Sequence, residues 1–97
     1  MLLPDGVALA QEAAERSFVL LKNSPGPGGA PVLPLASDVH RIALIGPQAD
    51  ARPSMLGSWA GLGRPEDAVT LRVALEERVG RHNVLHHQGV DFTDGSD

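Results

Sequence analysis

The chain has 97 residues, of which 42% are hydrophobic and 3% aromatic, and its formal net charge is −4. This length suits one small domain, which would bury only about two-thirds of the surface exposed by the unfolded chain. The negative charge and the lack of a Lys or Arg run argue against nucleic acid and anionic membranes as partners. The absence of cysteine excludes disulfides and thiolate chemistry. No stretch approaches the roughly 20 apolar residues that span a bilayer, and the first residues lack the pattern of a secretory signal.

The first predicted element is a helix from about residue 7 to residue 17, with Asp5 as its N-cap. Four bulky apolar residues follow it, and they suit either a last buried helical turn or a short interior strand. We favour a strand over residues 18–22. Residues 24–31 are rich in Pro and Gly, which predicts a loop.

The middle of the chain carries the pattern of a βαβ unit. An apolar run over residues 41–46 is typical of a parallel strand buried on both faces. A helix is predicted over residues 71–79, with Thr70 as N-cap and Gly80 as a left-handed terminator. A second strand is predicted over residues 83–87, so that the order strand, helix, strand indicates parallel pairing.

The predicted second helix has two distinct sides. Its apolar stripe is expected to face the sheet, and its charged side is expected to face solvent. The stripe is formed by Leu71, Ala74, Leu75 and Val79, and the charged side by Arg72, Glu76, Glu77 and Arg78.

The predicted fold class is therefore α/β, with a parallel βαβ unit and an incomplete sheet. A parallel sheet needs cover on both faces, yet the chain offers one crossover helix and one N-terminal helix. The chain is either a small, marginal α/β domain or part of a larger α/β sheet. The shortage of strands favours the second interpretation.

The loop after the first strand holds the best candidate for ligand contact. Ligands of open α/β sheets bind just beyond the carboxyl ends of the strands, and the single tryptophan, Trp59, lies in this loop. A lone tryptophan in a small chain is often a core residue. Here, however, it is flanked by Gly57 and Gly61, and aromatic faces on exposed loops stack on sugar rings or partner side chains.

Other candidates carry weaker signals. Gly57, Gly61 and Gly63 do not form a nucleotide-binding fingerprint, and no nucleophile elbow is present. His86 and His87 are neighbours on a strand and point to opposite faces, so they do not suit one metal ion. Several carboxylates deserve comparison, but none has the spacing of a catalytic pair, and Asp50 is expected to cap the turn after it. These carboxylates are Asp50, Glu66, Asp67, Glu76, Glu77 and Asp91.

Taken together, several segments resemble glycoside hydrolase family 3. These segments are residues 8–23, 33–35 and 41–50, in order and with compatible spacing. More narrowly, residues 55–59, 69–71 and 88–91 are similar to bacterial, periplasmic-type β-glucosidases of that family.

The resemblance implies an architecture and an activity. Members of this family have an N-terminal (β/α)8-type barrel, a linker and an α/β sandwich domain. Residues 1–40 would be the linker helix, a short strand and a loop, and residues 41–97 the first βαβ part of the sandwich. Family members are retaining enzymes with an aspartate nucleophile on the barrel and a glutamate acid/base, usually from the sandwich.

The resemblance assigns no catalytic residue to this chain, because the nucleophile would lie upstream and the acid/base downstream. By position, Trp59 would help to form a leaving-group subsite. The implied parent removes terminal β-linked glucose from oligosaccharides or aryl glucosides without a metal or organic cofactor, in a periplasmic or secreted setting, with a cytoplasmic one also open. The barrel of the same polypeptide would be its partner, and this chain alone would be inactive. The alternatives are a freestanding α/β binding or interaction module and a nucleotide-binding enzyme.

Overall fold

The computed structural model describes residues 3–90. The chain forms two compact units, Met1–Ser37 and Asp38–Asp97. Among the described residues, no helix combines the length and the apolar character needed to cross a membrane.

The first unit contains helix α1, Pro4–Ser17. The helix starts earlier than predicted, and Asp5 is not its N-cap. Leu3 holds that position without a side-chain hydrogen bond, because Pro4 starts the helix with a suitable φ and no N–H to satisfy. Asp5 instead lies in the first turn, where its negative charge interacts favourably with the helix dipole.

The predicted strand over residues 18–22 is wrong, and so is the alternative of a last helical turn. The backbone becomes extended at Phe18, but no strand forms between α1 and the Pro- and Gly-rich loop. A strand requires hydrogen bonds to a neighbouring strand. The described part of the first unit contains no such neighbour. The apolar side chains from Phe18 to Leu21 are therefore exposed.

The Pro- and Gly-rich loop is closed by one side chain. Asn23 Nδ2 donates to the Leu33 carbonyl, and Asn23 Oδ1 accepts from the Leu33 N–H at 3.2 Å. The amide thus pairs with both backbone groups of one residue, much as a strand neighbour would.

The second unit contains the predicted βαβ order. Strand β1, Ile42–Ile45, pairs in parallel with strand β2, Val84–His87. Ile42 lies opposite Val84, and Ile45 lies opposite His87. Between the strands come helix α2, Arg52–Met55, and helix α3, Leu71–Val79, and a 3₁₀ turn precedes both α3 and β2.

The two faces of this sheet differ in burial. Ile42, Leu44, Val84 and His86 are buried or half-buried, whereas the residues between them are exposed. Leu85, for example, is 55% exposed. The expectation that the first strand is buried on both faces is therefore wrong within this unit, because its crossover helix α3 covers one face only.

Helix α3 begins as predicted and ends slightly differently. Thr70 Oγ1 accepts a hydrogen bond from the Val73 N–H at 3.3 Å, which confirms Thr70 as the N-cap. Gly80 has a positive φ of 91°, as expected, but its ψ of 138° lies outside the left-handed helical region. The final carbonyl, that of Val79, instead accepts from Asn83 Nδ2 at 2.6 Å.

The predicted stripe of α3 is only partly correct. Leu75 and Val79 are half-buried, but Leu71 and Ala74 are exposed and Val73 takes part in the covered side. The covered side of the helix is thus rotated from the apolar stripe, because the loop before it also packs against its first turn.

Candidate functional site

The segment between β1 and α3, residues 46–70, is here called the connecting loop. Its base is formed by Ala49, Asp50 and Thr70 together with Arg72 in the first turn of α3. Its tip is formed by residues 57–63 and carries Trp59. Its two arms are residues 46–56 and residues 64–70, and the second arm continues into the first turn of α3.

The base is held by hydrogen bonds from the first turn of α3 to the start of the loop. The Thr70 hydroxyl donates to Asp50 Oδ1 at 2.8 Å, and Arg72 Nη1 donates to Asp50 Oδ2 at 3.1 Å. The Arg72 N–H donates to the Ala49 carbonyl at 3.0 Å. Both oxygens of Asp50 are therefore engaged, and the expectation that Asp50 caps the turn after it is wrong.

Thr70 is the only completely buried residue among those described. A buried hydroxyl is costly unless it is hydrogen-bonded. Here the hydroxyl donates to Asp50 and accepts from the Val73 N–H, so that both of its functions are used. The same side chain thus caps the helix and holds the loop.

The surroundings lower the pKa of the Asp50 carboxyl below its ordinary value. The Thr70 hydrogen bond is the largest cause, partial burial opposes it, and the hydrogen bond and charge of Arg72 add to it. His86 contributes a smaller charge effect, and its Nε2 atom is buried without a hydrogen-bond partner among the described residues. The base therefore favours an ionised Asp50.

Arg72 and Glu76 do not lie on a freely solvated helix side, contrary to expectation. Arg72 Nε donates to Glu76 Oε1 at 2.8 Å, and the Glu76 side chain is 18% exposed. The Glu76 hydrogen bond is the largest cause that raises the pKa of Arg72. Arg72 is drawn out of solvent because it bridges Glu76 to Asp50.

The middle of the connecting loop is held by its own contacts. Arg52 Nη1, at the start of α2, donates to the Glu66 carbonyl at 3.2 Å. Arg64 and Asp67 form a two-point ion pair at 2.9 and 3.1 Å within one arm of the loop. Loops whose ends meet and whose side chains pack internally form compact units.

The tip is narrow and exposes apolar groups. The Gly63 N–H donates to the Ala60 carbonyl at 2.7 Å. A Cβ atom at Gly63 would lie 2.9 Å from that carbonyl oxygen, so the turn requires glycine there. Trp59 is 98% exposed and Leu62 is 100% exposed. The described residues therefore leave the indole of Trp59 uncovered.

The histidines are separated as the strand pattern predicts. His86 is half-buried on the covered face of the sheet, and His87 is exposed on the other face. His87 Nδ1 accepts from the Gly89 N–H at 2.9 Å. Within residues 3–90, no group of three or more His, Cys, Asp or Glu residues is placed to hold a metal ion.

Neither Asp50 nor Asp67 has the acidity expected of a general acid. A general acid that works near neutral pH needs a raised pKa, whereas the pKa values of Asp50 and Asp67 are lowered, the latter mainly by its hydrogen bond to Arg64. Glu66 and Glu77 are exposed. Asp91 lies outside the described residues.

Comparison with known proteins places these features in context. The chain is 34% identical over 85 residues to a periplasmic β-glucosidase of Salmonella typhimurium. The aligned segment covers 87% of this chain and 10% of the relative. It is 38% identical over 89 residues to a probable β-D-xylosidase 7 of Arabidopsis thaliana, covering 91% of the chain and 10% of the relative. The resemblance to glycoside hydrolase family 3 is confirmed.

Other relatives agree. A β-xylosidase/α-L-arabinofuranosidase 1 of Medicago sativa subsp. varia is 43% identical over 60 residues, which covers 61% of this chain and 7% of that protein. The chain thus spans about a tenth or less of the length of these relatives. No family model matches the chain, and no solved structure matches it with significance.

The meeting of Asp50, Thr70 and Arg72 was not predicted from the sequence. Both Asp50 and Thr70 stood out, but each was assigned to its own turn. Two features of the sequence could have indicated this contact. One is a capping threonine, Thr70, two residues before Arg72, and the other is an aspartate, Asp50, just past the end of a strand. Their 20-residue separation gives no local pattern that joins them.

Proposed function

We propose that this chain is one segment of a retaining glycoside hydrolase that removes terminal β-linked glucose from oligosaccharides or aryl glucosides. The similarity to family 3 β-glucosidases and β-xylosidases supports the reaction class. The segment would contain the linker and the start of an α/β sandwich, and its two-stranded parallel sheet with one open face agrees with that role.

In this proposal Trp59 forms part of the leaving-group subsite. The observation that carries it is the exposure of the indole, 98%, at the tip of a loop beyond the end of a parallel strand. An exposed aromatic face stacks on a sugar or aryl ring and gains about 1 kcal/mol beyond the area it buries. No residue of this chain is assigned as nucleophile or acid/base.

The hydrolysis itself is tested with two polypeptides. We expect the purified 97-residue chain not to release p-nitrophenol from p-nitrophenyl β-glucoside, because the proposal places both catalytic carboxylates elsewhere. A longer polypeptide that contains this segment, with a barrel before it and further α/β sequence after it, is expected to release p-nitrophenol with retention of configuration. Turnover by the short chain, or none by the longer one, would contradict the proposal.

The sugar is a separate question, and β-xyloside hydrolysis is a second candidate. Two of the relatives compared above are named as xylosidases, and they share 38% and 43% identity with this chain. The same assay with p-nitrophenyl β-xyloside decides between the sugars. We expect the glucoside to have the higher kcat/KM, and the reverse ratio would assign the enzyme to xylosides.

A further inference from the structure

The two arms of the connecting loop are joined at successive levels from base to tip. At the base, the backbone N–H of Arg72 donates to the Ala49 carbonyl at 3.0 Å, and the Thr70 hydroxyl donates to the Asp50 carboxylate at 2.8 Å. At the middle level, Arg52 binds the Glu66 carbonyl at 3.2 Å. Each bond joins residues that are 14 to 23 positions apart, so each shortens the free length of chain that carries the tip.

Asp50 differs from the other residues of these levels in the number of its side-chain bonds across the loop. Its two carboxylate oxygens bind separate residues of the opposite arm, Thr70 and Arg72. Both partners belong to the start of α3, a regular helix that packs on β2. A carboxylate held by two donors on a helix is fixed in both position and orientation.

The position of Asp50 does not suggest a role in the core. Its side chain is 33% exposed, whereas the side chain of Thr70, at the centre of the base, is fully buried. Its loss should therefore affect the loop more than the packing of β1, β2 and α3. Since α2 begins two residues after Asp50, a displacement of this residue is expected to pass through α2 to the tip.

We propose that Asp50 is a positioning residue for Trp59: its carboxylate fixes the connecting loop to α3 and thereby sets the place of the indole. The proposal rests on the leaving-group subsite described above for its functional meaning. Misplacement of a binding group by about 1 Å lowers reaction rates strongly, so a residue that holds the tip contributes to binding without touching the ligand.

Time-resolved fluorescence anisotropy of the 97-residue chain tests the proposal without a ligand. Trp59 is the single tryptophan and the chain has no tyrosine, so the signal reports on the tip alone. Loop motion falls in the nanosecond range, and we expect Asp50→Asn to increase the amplitude of the fast anisotropy decay about twofold. The substitution keeps the shape of the side chain and removes its charge.

Asp67→Asn is the matched control. Asp67 lies in the same loop and also binds an arginine, Arg64, but the pair is only three residues apart and does not join the two arms. We expect its anisotropy decay to match that of the unaltered chain. Thr70→Ser, which keeps the hydroxyl, should also match, whereas Thr70→Val should behave as Asp50→Asn does.

The outcomes are distinct. An Asp50→Asn decay equal to that of Asp67→Asn would overturn the proposal. Loss of amide hydrogen-exchange protection in α3 and β2 of Asp50→Asn would overturn it as well, because Asp50 would then support the whole unit and not the tip. Failure of the longer polypeptide to hydrolyse any glycoside would remove the proposed function but leave the anisotropy result intact.

The active polypeptide supplies a functional readout. If Asp50 acts through Trp59, Asp50→Asn and Trp59→Ala should each lower kcat/KM for p-nitrophenyl β-glucoside about fivefold, and the double variant should be no worse than either. Multiplied effects in the double variant would show that Asp50 acts independently of Trp59.

Discussion

In the connecting loop, polar side chains are buried or half-buried at the base and apolar side chains are exposed at the tip, which is the reverse of the usual distribution in a folded protein. At the base, a threonine is completely buried and an aspartate and an arginine are drawn partly out of solvent. At the tip, Trp59 and Leu62 are almost fully exposed. A buried polar group needs hydrogen bonds, and the Thr70 hydroxyl both donates and accepts one, whereas large apolar groups in water gain by meeting a partner. The base is thus held by polar contacts, and the tip leaves large apolar side chains uncovered by the described residues.

The largest effect is expected when the hydroxyl at the base is removed. Thr70→Val keeps the shape of the side chain but deletes the cap of α3 and the donor to Asp50. We expect the free energy of opening at the first turn of α3 to fall by about 2 kcal/mol. Amide hydrogen exchange at Val73 and Ala74 measures this, and Thr70→Ser is the control. Equal exchange in the two variants would show that the hydroxyl does not stabilise the first turn of α3.

A second prediction concerns acidity at the base. The folded-state pKa of Asp50 is lowered, so its stabilising contribution is fully present above the unfolded value of about 3.9 and is lost as pH falls through the folded value. Carbon NMR of the carboxyl should show Asp50 titrating below the unfolded value. Thr70→Val and Arg72→Gln should each raise this pKa, because each removes a group that lowers it. An unchanged pKa in both variants would contradict the described geometry.

A smaller effect is expected from a methyl group in the tip. Gly63→Ala places a Cβ atom 2.9 Å from the Ala60 carbonyl oxygen, and because that oxygen belongs to the backbone, the turn itself must shift. We expect a cost of about 1 kcal/mol in local opening at the tip. Gly28→Ala is the control, since nothing lies within 4 Å of a Cβ atom there. A Gly63→Ala variant with unchanged hydrogen exchange at residues 57–63 would mean that the tip is loosely formed.

The smallest effect on stability is expected for the exposed apolar residues themselves. Trp59→Ala and Leu62→Ala remove side chains that contact mainly solvent, so hydrogen exchange at the base should change by no more than about 0.5 kcal/mol. A larger change in either variant would show that the tip supports the base and would remove the distinction between them.

The sequence predicted the main elements and their order better than it predicted side-chain contacts between distant residues. The apolar run of β1, the cap at Thr70 and the parallel pairing of β1 with β2 follow from neighbouring residues and from the order of elements. The strand over residues 18–22 failed because strand formation depends on a neighbour, which the pattern itself does not supply. The short helix α2 was missed because a four-residue helix has no periodicity to detect.

The site was predicted in the same uneven way. Trp59 stood out because it is the single tryptophan in a glycine-flanked loop, and its contact with a ligand stays a prediction. The contacts of Arg72 with Asp50 and Glu76 join the helix to a residue 22 positions earlier and could not be read from helical spacing. The open sheet face, with Ile45 70% exposed, agrees with the expectation of an incomplete sheet.

The most direct test of the subsite is the effect of Trp59→Ala on two substrates in the longer, active polypeptide. With p-nitrophenyl β-glucoside, whose leaving group is aromatic, we expect kcat/KM to fall about fivefold; with β-glucosyl fluoride, whose leaving group is too small to stack, it should not change. Leu62→Ala, equally exposed on the same tip, should alter neither value. Equal losses on both substrates, or no loss on the aryl glucoside, would contradict a leaving-group role for Trp59.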